Sequence, residues 1–138
     1  MKLYNTLTKK VDELLPIEPG EVRVYTCGPT VYDYAHIGNL RTYIFEDLLK
    51  RALKFLDFKI LHGMNITDVG HLVGDTDGGE DKMDKASKRE NKHPLEIARF
   101  YETKFFEDMA KLNILPPDKL LRATESVPEQ IEIIKLLE

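Results

Sequence analysis

The sequence predicts an α/β fold built on a parallel sheet with flanking helices, and three observations carry that prediction. Val22, Val24 and Thr26 alternate with Arg23, Tyr25 and Cys27, the two-residue period of a strand. From Asn39 the period changes: Ile44, Phe45, Leu48, Leu49, Ala52, Leu53 and Leu56 recur at helical spacing, with Leu40 on the same face. A short apolar run, Phe58 to Met64, then reads as a second strand. Strand, helix, strand in close succession is a βαβ unit, which implies a parallel pair joined by a right-handed crossover.

The other elements follow in order. Lys2 to Leu7 reads as a short strand, and Val11 to Leu15 as a mixed stretch leading to a turn at Pro16, Pro19 and Gly20. Gly28-Pro29 closes the strand that precedes it, because proline donates nothing to a ladder. Lys50, Arg51 and Lys54 fall late in the first helix, where cations suit the helix dipole. Residues 69–93 are poor in apolar side chains and read as a mobile charged loop, with a short helix near Asp81 to Ser87. Residues 94–138 read as a helical segment. Pro94 opens a helix carrying Ile97, Phe100, Tyr101, Phe105, Met109 and Leu112, Pro116-Pro117 stops it, and a last helix carries Ile131, Ile134 and Leu137.

Composition narrows the function classes. At 138 residues, one core is feasible, and 42% apolar with 32% charged residues suits a globular protein in water. No run approaches the length of a membrane span and the N-terminus lacks an apolar signal core, so a cytoplasmic location is expected. A single cysteine excludes an internal disulfide framework. A net charge of −4 removes a bulk electrostatic case for nucleic-acid binding and leaves room for a local basic patch.

Chemistry concentrates between the first strand and the first helix. His36-Ile37-Gly38-Asn39 opens the helix. Unpaired backbone N–H groups and the positive end of the dipole favour an anion there, His36 and Asn39 add donors, and Gly38 lets a ligand ring approach the backbone. The same four residues also read as a capped helix, with Asn39 as N-cap and His36 on the surface. Cys27 alone reads first as a small buried hydrophobe, with a metal ligand as the alternative. A zinc site needs about four ligands, and His36, His62, His71 and His93 show no ligand spacing with Cys27. Asp75, Asp77, Gly79 and Asp81 suggest a calcium loop, but Glu80 stands where glycine is needed and Ala86 where the bidentate glutamate is needed. Lys82, Lys85, Lys88, Arg89 and Lys92 offer contacts to a phosphate backbone, or a solvated helix face balanced by Glu80, Asp81, Asp84 and Glu90.

The ordered set of motifs is more specific than any one of them. Leu3-Tyr4-Asn5-Thr6-Leu7, Tyr25-Thr26-Cys27-Gly28-Pro29-Thr30-Val31-Tyr32-Asp33, His36-Ile37-Gly38-Asn39 with Arg41-Thr42, Asn65-Ile66-Thr67-Asp68, Asn113-Ile114-Leu115-Pro116-Pro117 and Arg122-Ala123-Thr124 occur in sequence. Together they resemble the N-terminal part of the cysteinyl-tRNA synthetases over essentially the whole chain.

The resemblance implies a Rossmann-like class I synthetase nucleotide-binding fold, incomplete in this chain, with residues 1–138 as the N-terminal half of the catalytic domain. It implies a cysteine–tRNA ligase that uses ATP with magnesium and holds zinc. The family's signature turn falls on His36-Ile37-Gly38-Asn39, where Asn39 replaces the usual last histidine: it keeps an amide donor and loses the option of positive charge. By the same resemblance the catalytic residues are His36 and Asn39, and ATP is held by Thr30, His36, Gly38 and Asn39. Cysteine is contacted by Gly28 and Thr67, and the first zinc ligand is Cys27. Zinc prefers a thiolate to an alcohol, which would reject serine without editing. An insertion separates Asp68 from Glu80-Asp81-Lys82, an element that in the family follows the Asn-Ile-Thr-Asp motif closely. The other zinc ligands, a Lys-Met-Ser-Lys-Ser loop and an anticodon-binding domain are expected outside these residues, so the chain is expected to be a fragment inactive alone. Lys82-Met83-Asp84-Lys85-Ala86-Ser87 is set aside as a chance likeness to that loop. Partners implied are cysteine, ATP and tRNA(Cys), with a second polypeptide as one source of the missing half. Two rival functions share the motifs: a cysteine ligase acting on a small amine, as in mycothiol synthesis, and a truncated paralogue that binds nucleotide or a partner without catalysis.

Overall fold

The computed structural model describes residues 1–69 and 82–138. Lys2–Asn5 (β1) and Lys10–Glu13 (β2) form an antiparallel hairpin with Lys2 opposite Glu13. Sequence reading places no strand at β2 and extends β1 to Leu7. The Asn5 side chain ends the strand by accepting from Leu7 N–H at 3.0 Å.

The main sheet has Glu21–Thr26 (β3), Lys59–Ile66 (β4) and Lys119–Arg122 (β5) in the order β3-β4-β5, all parallel. Ile37–Phe55 (α1) joins β3 to β4, as the change of period predicts. β4 runs two residues past Met64 and takes in Asn65 and Ile66. As the central strand it buries His62, Met64 and Ile66. Lys82–Glu90 (α2) and Pro94–Lys111 (α3) precede β5, and Val127–Leu137 (α4) follows a short turn at Thr124–Ser126.

Two expectations for the second half need correction. The segment 94–138 is not helical throughout, because β5 extends the parallel sheet within it. Four residues carry too short a period to announce a strand, and β5 forms because β4 offers it a ladder. The charged region 69–93 contains the helix α2 at 82–90, longer than the short helix expected. The acidic repeat from Asp75 to Asp81, Glu80-Asp81 and the remainder of that loop fall largely outside the described residues.

The core lies between β4 and α3. Met64 packs with Tyr43, Phe105, Met109 and Ile114, and Ile66 packs with Val31, Ala86, Ile97, Ala98 and Tyr101. α3 therefore uses its apolar stripe as predicted. α1 does not: Phe45, Leu48 and Phe55 are largely exposed, Ile44 and Leu56 about half, and the buried residues are Tyr43, Lys50 and Leu53.

Lys50 is buried because it holds the chain that leads into β5. Its Nζ donates to Pro116 O at 2.7 Å and to Asp118 Oδ2 at 3.4 Å. Asp47 Oδ1 accepts from Leu115 N–H at 2.9 Å, and the Arg51 guanidinium donates to Asn113 O. Burying an ammonium is tolerable only with such partners. α1 and α3 end alike, with Asp57 at φ 61 and Asn113 at φ 56. Phe58 N–H then reaches Leu53 O at 3.1 Å and Ile114 N–H reaches Met109 O at 3.0 Å, closing the last turns.

Candidate active site

The site forms where β3 and β4 end. Their ladder runs in register to Thr26 and Met64, and resumes at Thr30 and Thr67. Between these pairs Cys27, Gly28 and Pro29 stand opposite only Asn65 and Ile66, so β3 carries one extra residue and bulges. Pro29 O accepts from Thr67 N–H at 3.0 Å, and Val31 N–H donates to Thr67 O at 3.1 Å. Cys27 continues the outward-facing series of Arg23 and Tyr25, and its thiol is exposed and free. That removes the reading of Cys27 as a buried hydrophobe.

Gly28 is demanded by close packing. A Cβ there would lie 1.7 Å from Asn65 O. Its N–H, displaced from the main-chain ladder, donates to Asn65 Oδ1 at 3.0 Å. Tyr25 OH donates to the same oxygen at 3.1 Å, and Asn65 Nδ2 donates to Thr67 Oγ1 at 3.2 Å. One amide thus ties together the residues expected to contact a substrate.

Beside the bulge lies a cleft of about 260 Å³ whose wall includes Thr30, His36, Asn39, Tyr43, Tyr101 and Phe105. It brings together Thr30, His36 and Asn39, three of the residues expected to hold ATP. Gly38 does not line it. A Cβ on Gly38 would meet the His36 ring at 2.9 Å, so the missing side chain leaves room for that ring.

The helix start also differs from expectation. The N-cap of α1 is His36, and Asn39 is the third helical residue. His36 Nδ1 accepts from Gly38 N–H at 3.1 Å, and Asn39 Oδ1 accepts from His36 N–H at 3.1 Å. This reciprocal box spends backbone donors that the bare sequence offers to an anion. In exchange it orients two side chains. With Nδ1 accepting, the neutral imidazole carries its proton on Nε2, and with Oδ1 accepting, the Asn39 amide keeps both Nδ2 hydrogens. The cleft therefore has two side-chain donors on its wall and no formal cation among these two residues.

The floor is aromatic. The Tyr34 and Tyr101 rings meet edge to face at 5.1 Å, as do Tyr43 and Phe105 at 4.8 Å. Burial pushes the Tyr43 hydroxyl up to about 12, with the charges of Glu46 and Cys27 adding to the shift. Behind it, burial raises the Glu46 carboxyl against a Thr26 hydrogen bond that lowers it. Burial lowers the His62 imidazole, helped by the Lys50 charge and opposed by Asp118. Thr26 Oγ1 lies 2.9 Å from His62 Nε2.

α2 is clamped to the cleft wall. Arg89 Nη1 reaches Asp33 Oδ2 at 3.2 Å, its Nη2 reaches Tyr32 O at 3.4 Å and Tyr101 OH at 3.2 Å, and Tyr101 OH donates to Glu90. Arg89 is thus engaged within the protein and not presented as a phosphate-backbone contact. Sequence reasoning placed Tyr101 in the core and missed that clamp, along with Asn65 and Tyr43. Asn65 opens the Asn65-Ile66-Thr67-Asp68 motif, but the motif alone attaches no role to it.

Among the described residues no three His, Cys, Asp or Glu side chains come together to hold a metal ion. The residues present therefore do not fit a zinc site on their own, and Cys27 supplies a single thiol.

Comparison with known proteins places these features in a family context. The family model for the catalytic domain of class I (C) tRNA synthetases matches residues 13–138. A cysteine–tRNA ligase of Treponema denticola is 55% identical over all 138 residues, which span 28% of that protein. A cysteine–tRNA ligase of Borrelia garinii subsp. bavariensis is 53% identical over the whole chain, again 28% of its own length. Cysteine–tRNA ligase 1 of Burkholderia lata is 50% identical over the whole chain and 29% of its own length.

Proposed function

The chain belongs to the class I cysteinyl-tRNA synthetase catalytic-domain family, and on that premise we propose that it furnishes the ATP- and cysteine-binding side of a cysteine–tRNA ligase. The observation that carries the reading is the cleft at the carboxyl ends of the parallel strands, where Thr30, His36 and Asn39 meet beside the Cys27-Gly28 bulge. Ligands of open α/β sheets bind at that edge. The chain spans 28% of the length of the Treponema denticola relative.

In the proposed reaction the carboxylate of cysteine attacks the α-phosphorus of ATP, a C–O–P bond forms, and pyrophosphate leaves. The terminal ribose hydroxyl of tRNA(Cys) then attacks the acyl carbon and AMP departs. His36 Nε2–H and Asn39 Nδ2 act on the first step as hydrogen-bond donors to phosphate oxygens where charge develops. Thr30 lines the same cleft, and magnesium accompanies the triphosphate. Gly28 and Thr67 contact the cysteine moiety. Gly38 acts indirectly, by leaving room for the His36 ring. Were zinc bound, Cys27 would supply a thiolate ligand to it. A cytoplasmic location agrees with this role, and no described helix is long and apolar enough to cross a membrane. The exposed face of α1 is the surface on which the rest of the catalytic unit packs, in the same polypeptide or as a second one.

A chimera tests the reading: residues 1–138 replace the aligned stretch of the Treponema denticola relative, and cysteine-dependent ATP–pyrophosphate exchange is measured. We expect exchange, and a fall of about 10²-fold in its rate on Asn39→Ala, the usual scale for losing one such donor. A folded chimera without exchange, or an Asn39→Ala variant at the parent rate, contradicts the assignment. Charging of tRNA against an amino-sugar acceptor separates the tRNA ligase from a ligase of small amines.

A further inference from the structure

We propose that Asn65 is a positioning residue of the site: it holds the Cys27-Gly28 bulge in place and leaves the Thr67 hydroxyl hydrogen to donate to another partner. The proposal rests on the reading of Gly28 and Thr67 as substrate contacts. The orientation of the Asn65 amide follows from chemistry. Gly28 N–H can only donate, and it lies 3.0 Å from Oδ1, so the other end of the amide is Nδ2. Nδ2 can only donate, and it lies 3.2 Å from Thr67 Oγ1. The Thr67 oxygen is therefore an acceptor toward Asn65, and its own hydrogen remains for another partner. Among the described residues none accepts it. Tyr25 OH, 3.1 Å from Oδ1, holds the amide from the opposite side.

The bulge makes this bond necessary. An extra residue in β3 takes Gly28 N–H out of the main-chain ladder, and a half-buried N–H without an acceptor is costly. The Asn65 side chain supplies the missing carbonyl. The same residue's backbone oxygen lies where a Gly28 Cβ would be, so main chain and side chain of Asn65 together set where Gly28 sits. Aspartate at this position would still accept from Gly28 and Tyr25. It would not donate to Thr67, and its carboxylate would instead take up the Thr67 hydrogen.

The test has two readouts, amide exchange on the 138-residue chain and analogue binding on the chimera with the Treponema denticola relative. Without ligand, amide exchange at Gly28 followed by NMR is expected to speed by about tenfold or more in Asn65→Ala and to stay at the parent rate in Asn65→Asp. With the non-hydrolysable sulfamoyl analogue of cysteinyl-adenylate, calorimetry is expected to show Asn65→Asp and Thr67→Val each binding about tenfold more weakly. Because the aspartate adds a charge, the double variant decides the cause: Asn65→Asp should cost nothing further in the Thr67→Val background. Unchanged Gly28 exchange in Asn65→Ala overturns the bulge role. Parent-like binding by Asn65→Asp, or an undiminished effect in the double variant, overturns the hydroxyl role. If the parent itself fails to bind the analogue, the substrate-site reading falls, while Gly28 exchange still decides whether Asn65 holds the bulge.

Discussion

At the residue scale, the site is built from side chains that use one polar atom structurally and present the other. His36 accepts at Nδ1 and keeps Nε2–H, Asn39 accepts at Oδ1 and keeps Nδ2, and Thr67 accepts at Oγ1 and keeps its hydrogen. Such arrangements preorganise donors without a net charge. The titratable pair behind the cleft gives a pH prediction. His62 is held below its usual value by burial, so the unfolded chain binds the proton more readily, and stability falls as pH drops through about 6.5. Glu46 is raised by burial, so the folded chain favours its protonated form, and stability is lost as pH rises from about 4.5 through the raised value. Glu46→Gln should therefore raise stability at pH 7 while the acid-side loss from His62 persists. Urea unfolding of parent and variant between pH 5 and 8 checks this, and a variant less stable at pH 7 contradicts it.

At the element scale, the short β5 depends on neighbours more than on its own four residues. Asp68 is buried beyond the end of β4, and its Oδ1 and Oδ2 accept from Thr124 N–H at 2.9 Å and from the Thr124 hydroxyl. Arg122 at the end of β5 is bonded to Glu102 of α3 through Nε at 3.0 Å and Nη2 at 2.6 Å. These bonds lock the sheet, the turn at Thr124 and α3 to one another. Asp68→Ala should destabilise the fold by about 2–3 kcal/mol, because it strands two partners. Urea unfolding measures the loss, and a change below about 0.5 kcal/mol would show that Asp68 is not the anchor. The aspartate that closes the Asn-Ile-Thr-Asp motif thus has a structural task as well as its place in the motif.

At the scale of the whole molecule, α1 presents Phe45, Leu48 and Phe55 to water, 70%, 64% and 87% exposed. α4 buries none of its residues. Contiguous apolar faces of this kind promote association. The isolated chain should show concentration-dependent sedimentation that Phe45→Glu with Leu48→Glu abolishes, with the unfolding midpoint preserved since neither residue is in the core. A parent that sediments as a monomer at all concentrations contradicts the prediction.

The sequence by itself determined the parallel βαβ frame, the α3 stripe and the family, because period and motif order are local and survive in one dimension. It misjudged α1: helical spacing marks Phe45 and Leu48 as an apolar face, yet spacing does not say which partner covers that face or whether the partner lies in these residues. Only the tertiary structure decided that His36 and not Asn39 caps α1, that Gly38 makes room for a ring of the protein itself, and that four residues at 119–122 join the sheet. It alone revealed the bulge and the hub at Asn65. Those features arise from bonds between Gly28 and a residue on the neighbouring strand, and the match of one strand against another is a property of register, which no single stretch of sequence contains.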